Sequence, residues 1–147
     1  MARKWIGGLL ALLLLAGAAQ AKDLKLTVID LDPDDLACGL RYTAIQGKVR
    51  DSMAAMKARE VAESDYEMLV AVATVKRPED CASDVIVSVR RIVPLAPTEK
   101  FRTRDDKAVL ELCRHGGIVV SPIRDHERDF LRQVERSVQV CLGQLAF

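Results

Sequence analysis

The sequence predicts an α+β protein in which a small β-sheet packs against amphipathic helices. Two segments rich in β-branched residues, Tyr66 to Lys76 and Val85 to Val93, flank the polar turn Arg77-Pro78-Glu79-Asp80 and predict an antiparallel hairpin. The C-terminal segment repeats apolar residues at helical spacing instead, and this stripe comprises Phe130, Val134, Val138, Cys141, Leu142 and Leu145. Strand and helix patterns therefore occur within one chain of 147 residues.

The N-terminal segment predicts export. Arg3 and Lys4 precede an apolar run of 14 residues from Ile6 to Ala19, and Ala19-Gln20-Ala21 follows at its end. A basic start, a short apolar core and small residues two apart are typical of a cleavable secretory signal peptide, which we assign to residues 1–21. The apolar run is shorter than the ~20 residues that a membrane-spanning helix needs. We therefore expect a periplasmic or secreted protein with no stable membrane anchor after cleavage.

The remaining residues, 22–147, predict a single domain of nearly neutral charge. Their number, 147 minus 21, is 126 and lies close to the commonest domain size. Without Arg3 and Lys4 the 22 basic residues fall to 20, against 21 acidic ones, for a formal charge of −1. The only tryptophan, Trp5, also leaves with the signal peptide. Little charge and few aromatic rings argue against nucleic acid or a membrane surface as a partner.

Four cysteines lie in the predicted mature chain, namely Cys38, Cys81, Cys113 and Cys141. An even count in an exported chain favours two disulfides, and the separations of 43, 32 and 28 residues contain no C-x-x-C pair. This spacing argues against a zinc site and against a thioredoxin-like redox centre. Four cysteines allow three connectivities, which sequence alone does not resolve.

The first half of the mature chain predicts a strand followed by a helix. Lys25 to Leu31 contains adjacent β-branched residues and predicts the first strand, which Asp32-Pro33-Asp34-Asp35 ends. From Arg41 to Ala62 the helical stripe comprises Ile45, Val49, Met53 and Met56. Gly47 weakens the first turns of this helix, so its safer core runs from Val49 to Ala62. Between Asp35 and Gly47, a short helix and a short strand fit equally well.

The second half predicts two further helices with a short strand between them. Thr103 and Asp106 have the spacing of a capping box, Val109, Leu112 and Cys113 share a helical face, and Gly116-Gly117 could end the helix. These features favour a helix from Arg104 to Arg114. The alternative is a strand from Val109 to Cys113 that turns through His115-Gly116-Gly117 into a second strand. Ile118 to Ser121 then predicts a brief strand, and Arg124 to Leu142 the C-terminal helix.

The predicted order is β-α-β-β-α-β followed by a helix, which is the ferredoxin-like arrangement with an added C-terminal helix. Both crossover helices would cover one sheet face, yet the hairpin strands are apolar on both faces, so we expect a second cover. The terminal helix or a second subunit, as in a homodimer, could supply it. Cys113 and Cys141 both point inward if each lies on an apolar helical stripe, which favours Cys113–Cys141 and Cys38–Cys81. That pairing would hold the terminal helix beside the second helix or at the sheet edge, and would make dimerisation the better cover.

The two histidines are the only candidates for acid-base or metal chemistry that we single out. In Asp125-His126-Glu127, neighbouring side chains on a helix point about 100° apart and cannot jointly hold a metal, so we interpret this run as a solvated first turn. His115 we interpret as a polar residue at a helix end or in a tight turn. The sequence alone places no serine or cysteine nucleophile near His115. We therefore predict no catalytic residue, no metal site and no cofactor.

An acidic run at the end of the first strand has a simpler explanation than cation binding. Asp30, Asp32, Asp34 and Asp35 supply alternating carboxylates, as a calcium loop does. Counted from Asp30, however, Asp35 stands where such a loop needs glycine, and Arg41 stands where it needs an acidic residue. We expect Asp32 or Asp34 to cap a helix.

Four arginines at strict four-residue spacing form the most ordered polar feature. Arg124, Arg128, Arg132 and Arg136, which we call the arginine ridge, face away from the apolar stripe of the last helix. One interpretation is a solvated face with mixed ion pairs, because Asp125, Asp129 and Glu135 lie three residues from arginines of the ridge. The other is a partner-binding ridge for an acidic protein or an anionic envelope component.

Together these observations predict a small exported, disulfide-bonded protein without catalytic activity that binds another envelope or secreted macromolecule. The first alternative is a small metal-dependent or histidine-based hydrolase that uses His115 or His126. The second is an oxidoreductase with an easily reduced long-range cysteine pair.

Overall fold

The computed structural model describes residues 22–95 and 107–145, which form a five-stranded sheet with two long helices on one of its faces. The elements in chain order are β1 (Lys22–Val28), α1 (Pro33–Ala37), α2 (Tyr42–Ala55), β2 (Ala58–Glu60), β3 (Tyr66–Lys76), β4 (Asp80–Pro94), β5 (Lys107–Pro122) and α3 (Ile123–Gln144). The predicted α+β class is confirmed. The predicted signal peptide, residues 1–21, lies outside the described residues.

The strands lie in the order β2-β1-β3-β4-β5. β1 is parallel to both β2 and β3, with α1 and α2 in the connection that leads from it. β3, β4 and β5 are successive antiparallel neighbours, so the predicted hairpin is confirmed, from Tyr66 opposite Arg91 to Lys76 opposite Cys81. The ferredoxin-like order is not what forms, because β5 returns directly alongside β4 and the second parallel crossover does not exist.

The predicted helix from Arg104 to Arg114 is wrong from Lys107 onward, where the chain is the strand β5; Thr103 to Asp106 lie outside the described residues. The physical reason is a β-bulge: Val89 pairs with Cys113, whereas Arg90 pairs with Glu111, so Leu112 is an extra residue. An extra residue interrupts the alternation of side chains and leaves apolar residues at spacings that imitate a helix. The alternative turn at His115-Gly116-Gly117 is also wrong, since β5 continues through these residues.

The two glycines of β5 allow close approach on both of its sides. A Cβ atom on Gly116 would lie 2.2 Å from the carbonyl oxygen of Val85 in β4. A Cβ atom on Gly117 would lie 2.9 Å from Nε2 of Gln133 in α3. Gly116 is therefore required by the backbone of β4, and Gly117 makes room for a side chain of α3.

The first half of the chain departs from prediction mainly at element ends. β1 begins and ends three residues before the predicted Lys25 and Leu31. α2 includes Gly47 but ends at Ala55, seven residues before Ala62, because Lys57 adopts a left-handed conformation with φ of 56° and β2 follows.

The acidic run starts a helix, as predicted. Asp32 is the N-cap residue of α1, and its Oδ1 accepts a hydrogen bond of 2.9 Å from the backbone N–H of Asp35. In return, Oδ2 of Asp35 accepts one of 2.8 Å from the backbone N–H of Asp32. This reciprocal pair is a capping box, here with Asp in place of the usual Glu or Gln.

The hydrophobic core lies between the sheet and the two long helices. Its fully buried members include Leu24, Ile45, Val49, Met68, Val70, Val85, Val87, Phe130, Val134 and Val138. Five of the six residues of the predicted α3 stripe are confirmed, since Phe130, Val134, Val138, Cys141 and Leu142 are all buried. Leu145 is the C-cap residue, lies beyond the helix in an extended conformation and is half-buried. α3 lies beside α2, where Arg41 makes a bidentate ion pair of 2.9 Å with Glu127.

Both predicted disulfides form, Cys38–Cys81 and Cys113–Cys141. The first links the C-cap of α1 to the start of β4, and the second links β5 to α3. The helix-to-helix reasoning behind the second pair is wrong, because Cys113 lies on a strand; its side chain nevertheless points to the helix side of the sheet. Two disulfides are typical of an oxidising extracytoplasmic compartment. Among the described residues, no helix has the length and apolar character needed to cross a membrane.

Candidate interaction surface

The sheet face opposite the helices is not covered by any element of the described chain, and we call it the open face. Side chains alternate along a strand, so every second residue of β3, β4 and β5 points to this side. At the end where β3 finishes, the open face carries a group of apolar side chains that we call the apolar patch. Its members are Ala73, Val75, Ala82, Ile86, Ile118 and Val120, and the exposed Asp84 of β4 lies among them, opposite Ala73 and Ile118.

The apolar patch extends over three strands around the single carboxylate of Asp84 and is strongly exposed. Val75 of β3, Ala82 of β4 and Val120 of β5 lie opposite one another in the ladder. The exposed fraction is 62% for Val75, 56% for Val120 and 75% for Ile118. Isolated exposed apolar residues are ordinary on proteins, but a contiguous group on a flat sheet face marks an interaction site.

The opposite end of the open face is charged. Lys25, Glu67, Arg90 and Glu111 lie in one row across β1, β3, β4 and β5, with alternating sign. Thr27 donates a hydrogen bond of 2.6 Å from Oγ1 to Oε1 of Glu67. The open face therefore offers apolar contact at one end and alternating charges at the other.

A buried hydroxyl group lies between these two ends. Ser88 is opposite Leu69 and Arg114 on the open face, yet only 1% of it is exposed. Its Oγ has no hydrogen-bond partner among the described residues. Because it is buried, this hydroxyl does not contribute to the exposed surface of the open face.

The two edges of the sheet differ sharply. The β2 edge has only three residues, and ion pairs flank it: Arg59 with Asp23 at 2.9 Å, and Arg50 with Glu60. Short, charged edge strands are a common means of preventing further strand pairing. The β5 edge has 16 residues, and among the described residues β5 is paired only with β4. One edge is thus protected and the other is open.

β5 also concentrates exposed apolar side chains. In the described part of the chain, ten large hydrophobic residues are exposed, and five of them belong to this strand: Val109, Leu110, Leu112, Ile118 and Val120. Because β5 borders the apolar patch, its unpaired edge and the open face form one surface. The sequence does not reveal this edge, because its patterns divide β5 between a predicted helix and a short strand.

His126 was predicted to lie in a solvated turn, and this is wrong: its side chain is fully buried. Nε2 is 2.7 Å from Oγ of Ser83, and Nδ1 is 2.9 Å from Oγ of Ser121. Ser83 is in turn 2.6 Å from Oγ1 of Thr74. Burial lowers the pKa of His126 below its ordinary value of 6.5, and the carboxylate of Asp129 offsets part of that shift.

The Ser83–His126 pair has the atoms of a nucleophile and a base, but its position does not favour catalysis. Ser83 and His126 are both 0% exposed, so a substrate could not reach the hydroxyl without opening the core. A neutral imidazole has one donor and one acceptor nitrogen, and each can bond to one of the two serine hydroxyl groups. His126 is therefore a structural residue of the core.

His115 lies in β5 and not at a helix end, and its Nδ1 is 3.1 Å from Oγ of Ser137. Its hydrogen-bond partner differs from those of His126, so the two rings are not joined in one site. Within residues 22–95 and 107–145, no three His, Cys, Asp or Glu side chains are grouped so that they could hold a metal ion.

The arginine ridge is exposed on α3 and carries ion pairs along much of its length. Arg124 is 3.3 Å from Asp125, Arg128 is 3.1 Å from both Asp125 and Asp129, and Arg132 is 3.6 Å from Asp129. Arg136 has no ion pair with any described residue. These contacts fit the solvated, mixed-charge interpretation of the ridge, and its role as a partner-binding surface stays a prediction.

A small cleft of 270 Å³ adjoins the charged end of the open face. Lys25, Lys107, Glu63 and Asp65 are among its lining residues. Because both signs of charge line it, the cleft does not select an anionic or a cationic ligand. Its volume also lies just below the range usual for small-molecule sites.

Comparison with known proteins gives no family assignment: neither a protein-family model nor a curated protein matches the chain.

Proposed function

We propose that this protein is exported to the periplasm or secreted, has no catalytic activity of its own, and binds another macromolecule of that compartment through the open face of its sheet. The observation that carries the proposal is the exposed apolar patch on a sheet face that no described element covers. The two disulfides support the compartment, because such bonds persist where thiols are not kept reduced.

The chemistry of the open face indicates what kind of partner fits. A complementary surface would place apolar side chains over Val75, Ile118 and Val120, and charged or polar groups over the row that contains Glu67 and Arg90. Specific protein interfaces usually combine apolar contacts with polar and charged ones. The partner we propose is therefore a protein of the same compartment.

Site-specific photo-crosslinking tests this proposal. A photoreactive side chain at Val75, on the open face, should give one defined crosslinked partner in an extract of the native compartment. The matched control is Leu36 in α1, which is 59% exposed but lies outside the sheet. The partner, once identified and purified, should bind the unlabelled protein saturably.

An Ala73→Arg variant supplies the second arm, because its long side chain, opposite Asp84 of β4, would cover part of the apolar patch without removing a core residue. We expect it to fold as the wild type does, by circular dichroism, and to lose binding to the purified partner. Equal crosslinking from Val75 and Leu36, or unchanged binding by the Ala73→Arg variant, would contradict the proposal.

The arginine ridge is the competing surface, and a separate variant distinguishes it. Replacing Arg128 and Arg132 with glutamine removes charge from the ridge while leaving the open face intact. Because the ion pairs of these residues are exposed, we expect a stability loss below about 1 kcal/mol. If this double variant loses partner binding at low salt while Ala73→Arg retains it, the ridge and not the open face is the binding surface.

A further inference from the structure

We propose that β5 pairs in antiparallel fashion with β5 of a second copy of this chain, which joins the two sheets into one of ten strands. The inference uses the unpaired edge and does not depend on the proposed function. β5 is 16 residues long and, among the described residues, is hydrogen-bonded on one side only. None of its charged residues points to the helix side of the sheet. An unpaired strand edge presents alternating N–H and C=O groups that another strand can satisfy.

The side chains of β5 fit a reversed copy of the same strand when the two-fold axis passes through Ile118. In that register Ile118 meets Ile118 of the second copy, and Gly116 meets Val120 of the second copy on the open face. On the helix side, Gly117 meets Val119 of the second copy. Each valine thus faces a glycine, no like charges lie opposite one another, and cross-strand apolar pairs stabilise the ladder.

The position of α3 is compatible with this pairing. α3 packs on both β4 and β5, so its axis lies above that pair of strands. Adding a strand at the usual spacing of ~4.8 Å would place the two copies of α3 about two strand spacings, or ~10 Å, apart. That is within the usual range for packed helices, about 8–10 Å.

The side of α3 that faces the β5 edge carries complementary charge. The side chain of Gln133 lies over Gly117 of β5, with Nε2 2.9 Å from where a Cβ atom would be. Asp129 and Arg136 continue the same side of the helix at spacings of four and three residues. Two antiparallel copies of α3 would bring Asp129 of one, which already pairs with Arg128 and Arg132 of its own helix, towards Arg136 of the other. Arg136 has no ion pair with a described residue and is available for this contact.

This second copy would be held weakly. Pairing from Arg114 to Pro122 covers nine residues, Pro122 offers no N–H to extend it, and the contacting side of α3 is polar. Such a contact lies at the small end of specific interfaces, near or below ~1,200 Å². We therefore expect a dimer that forms with rising concentration rather than an obligate one.

Sedimentation of the purified protein over a concentration series tests the inference. The wild type should change from monomer to dimer. Ile118→Lys removes the apolar pair at the axis and brings two lysines together there, so it should raise the dissociation constant about tenfold, although Asp84 lies beside each lysine. Val75→Lys is the matched control, since Val75 is 62% exposed on the same open face but lies on an inner strand; it should dimerise as the wild type does.

Amide hydrogen exchange gives a second, independent measurement that needs no variant. In the dimer, every second amide of β5 between Arg114 and Pro122 should exchange more slowly than in the dilute monomer. A wild type that stays monomeric throughout, a Val75→Lys variant that dissociates as Ile118→Lys does, or β5 amides whose exchange does not change in the dimer would each overturn the inference. Because the purified protein is used alone, failure here leaves the proposed partner binding to be judged by its own experiment.

Discussion

At the scale of single residues, the structure assigns His126 a role that its neighbours in sequence conceal. Asp125 and Glu127 are polar and partly exposed, but the ring between them points into the core and bonds to Ser83 and Ser121. The four-residue spacing from His126 to Phe130 is the only sequence signal for this, since it places the histidine on the apolar stripe. A histidine on an apolar stripe is better interpreted as a core residue with hydrogen-bond partners than as a solvated one.

The buried ring should make stability depend on pH. The unfolded chain takes up a proton at His126 near its ordinary pKa of 6.5, whereas the folded protein, with its lowered pKa, does so only at lower pH. The free energy of unfolding should therefore fall as the pH decreases through 6.5, by at most about 1.4 kcal/mol per pH unit. His126→Gln removes this dependence and, at pH 7.5, should cost about 1–3 kcal/mol. Urea unfolding from pH 7.5 to 5.5 measures both.

The matched control for His126→Gln is Val134→Ala, which weakens the same core without removing a titrating group. Its difference in stability from the wild type should stay constant over this pH range, while the difference for His126→Gln narrows as the pH falls. A His126→Gln difference that is equally constant would show that the ring does not have a lowered pKa.

At the scale of secondary-structure elements, regular patterns were predictable and interrupted ones were not. β3 and α3 were recognised because a run rich in β-branched residues in one and a four-turn apolar stripe in the other continue without a break. β5 was not, because the bulge at Leu112 and the glycines at 116 and 117 conceal a 16-residue strand. Only the neighbouring β4 supplies the hydrogen bonds that make it a strand. The conformation of β5, on which the candidate interaction surface depends, is thus determined by its pairing with β4 and not by its own sequence pattern.

Two glycines of different elements should respond to alanine with opposite sign. Gly116 of β5 has the carbonyl oxygen of Val85 at 2.2 Å from an added Cβ, so Gly116→Ala must push the strands apart and should cost about 1–3 kcal/mol. Gly47 of α2 has no atom within 4 Å of an added Cβ. Gly47→Ala should therefore stabilise the helix by about 0.5–1 kcal/mol.

Denaturant midpoints of these two variants, measured against the wild type, check the prediction. Each is the control for the other, because the same methyl group is added in both cases. If Gly116→Ala is as stable as the wild type, the close approach of β4 to β5 does not exist as described.

At the scale of the whole molecule, the two disulfides hold together parts that lie far apart in sequence. Cys38–Cys81 closes a separation of 43 residues and ties α1 to the sheet, while Cys113–Cys141 closes one of 28 residues and ties α3 to β5. The pairing was predictable from the inward direction of Cys113 and Cys141, although one of these residues proved to lie in a strand. The pairing depends only on both side chains pointing into the core, and Cys113 does so from a strand as it would from a helix.

The burial of both disulfides predicts that they are structural and resist reduction. Cys38, Cys81 and Cys141 are 0% exposed and Cys113 is 6% exposed, so a thiol cannot attack either bond in the folded protein. Dithiothreitol alone should release no titratable thiols at concentrations that reduce both bonds once urea has unfolded the chain. Replacing either pair with alanine should lower the free energy of unfolding by about 3–4 kcal/mol. The reason is that a disulfide closing a loop of this length lowers the entropy of the unfolded chain, and the alanine variant regains that entropy. Since the two loops are similar in length, the paired variants control for each other. Release of two thiols from the folded wild type without urea would contradict the structural role and would favour the oxidoreductase interpretation instead.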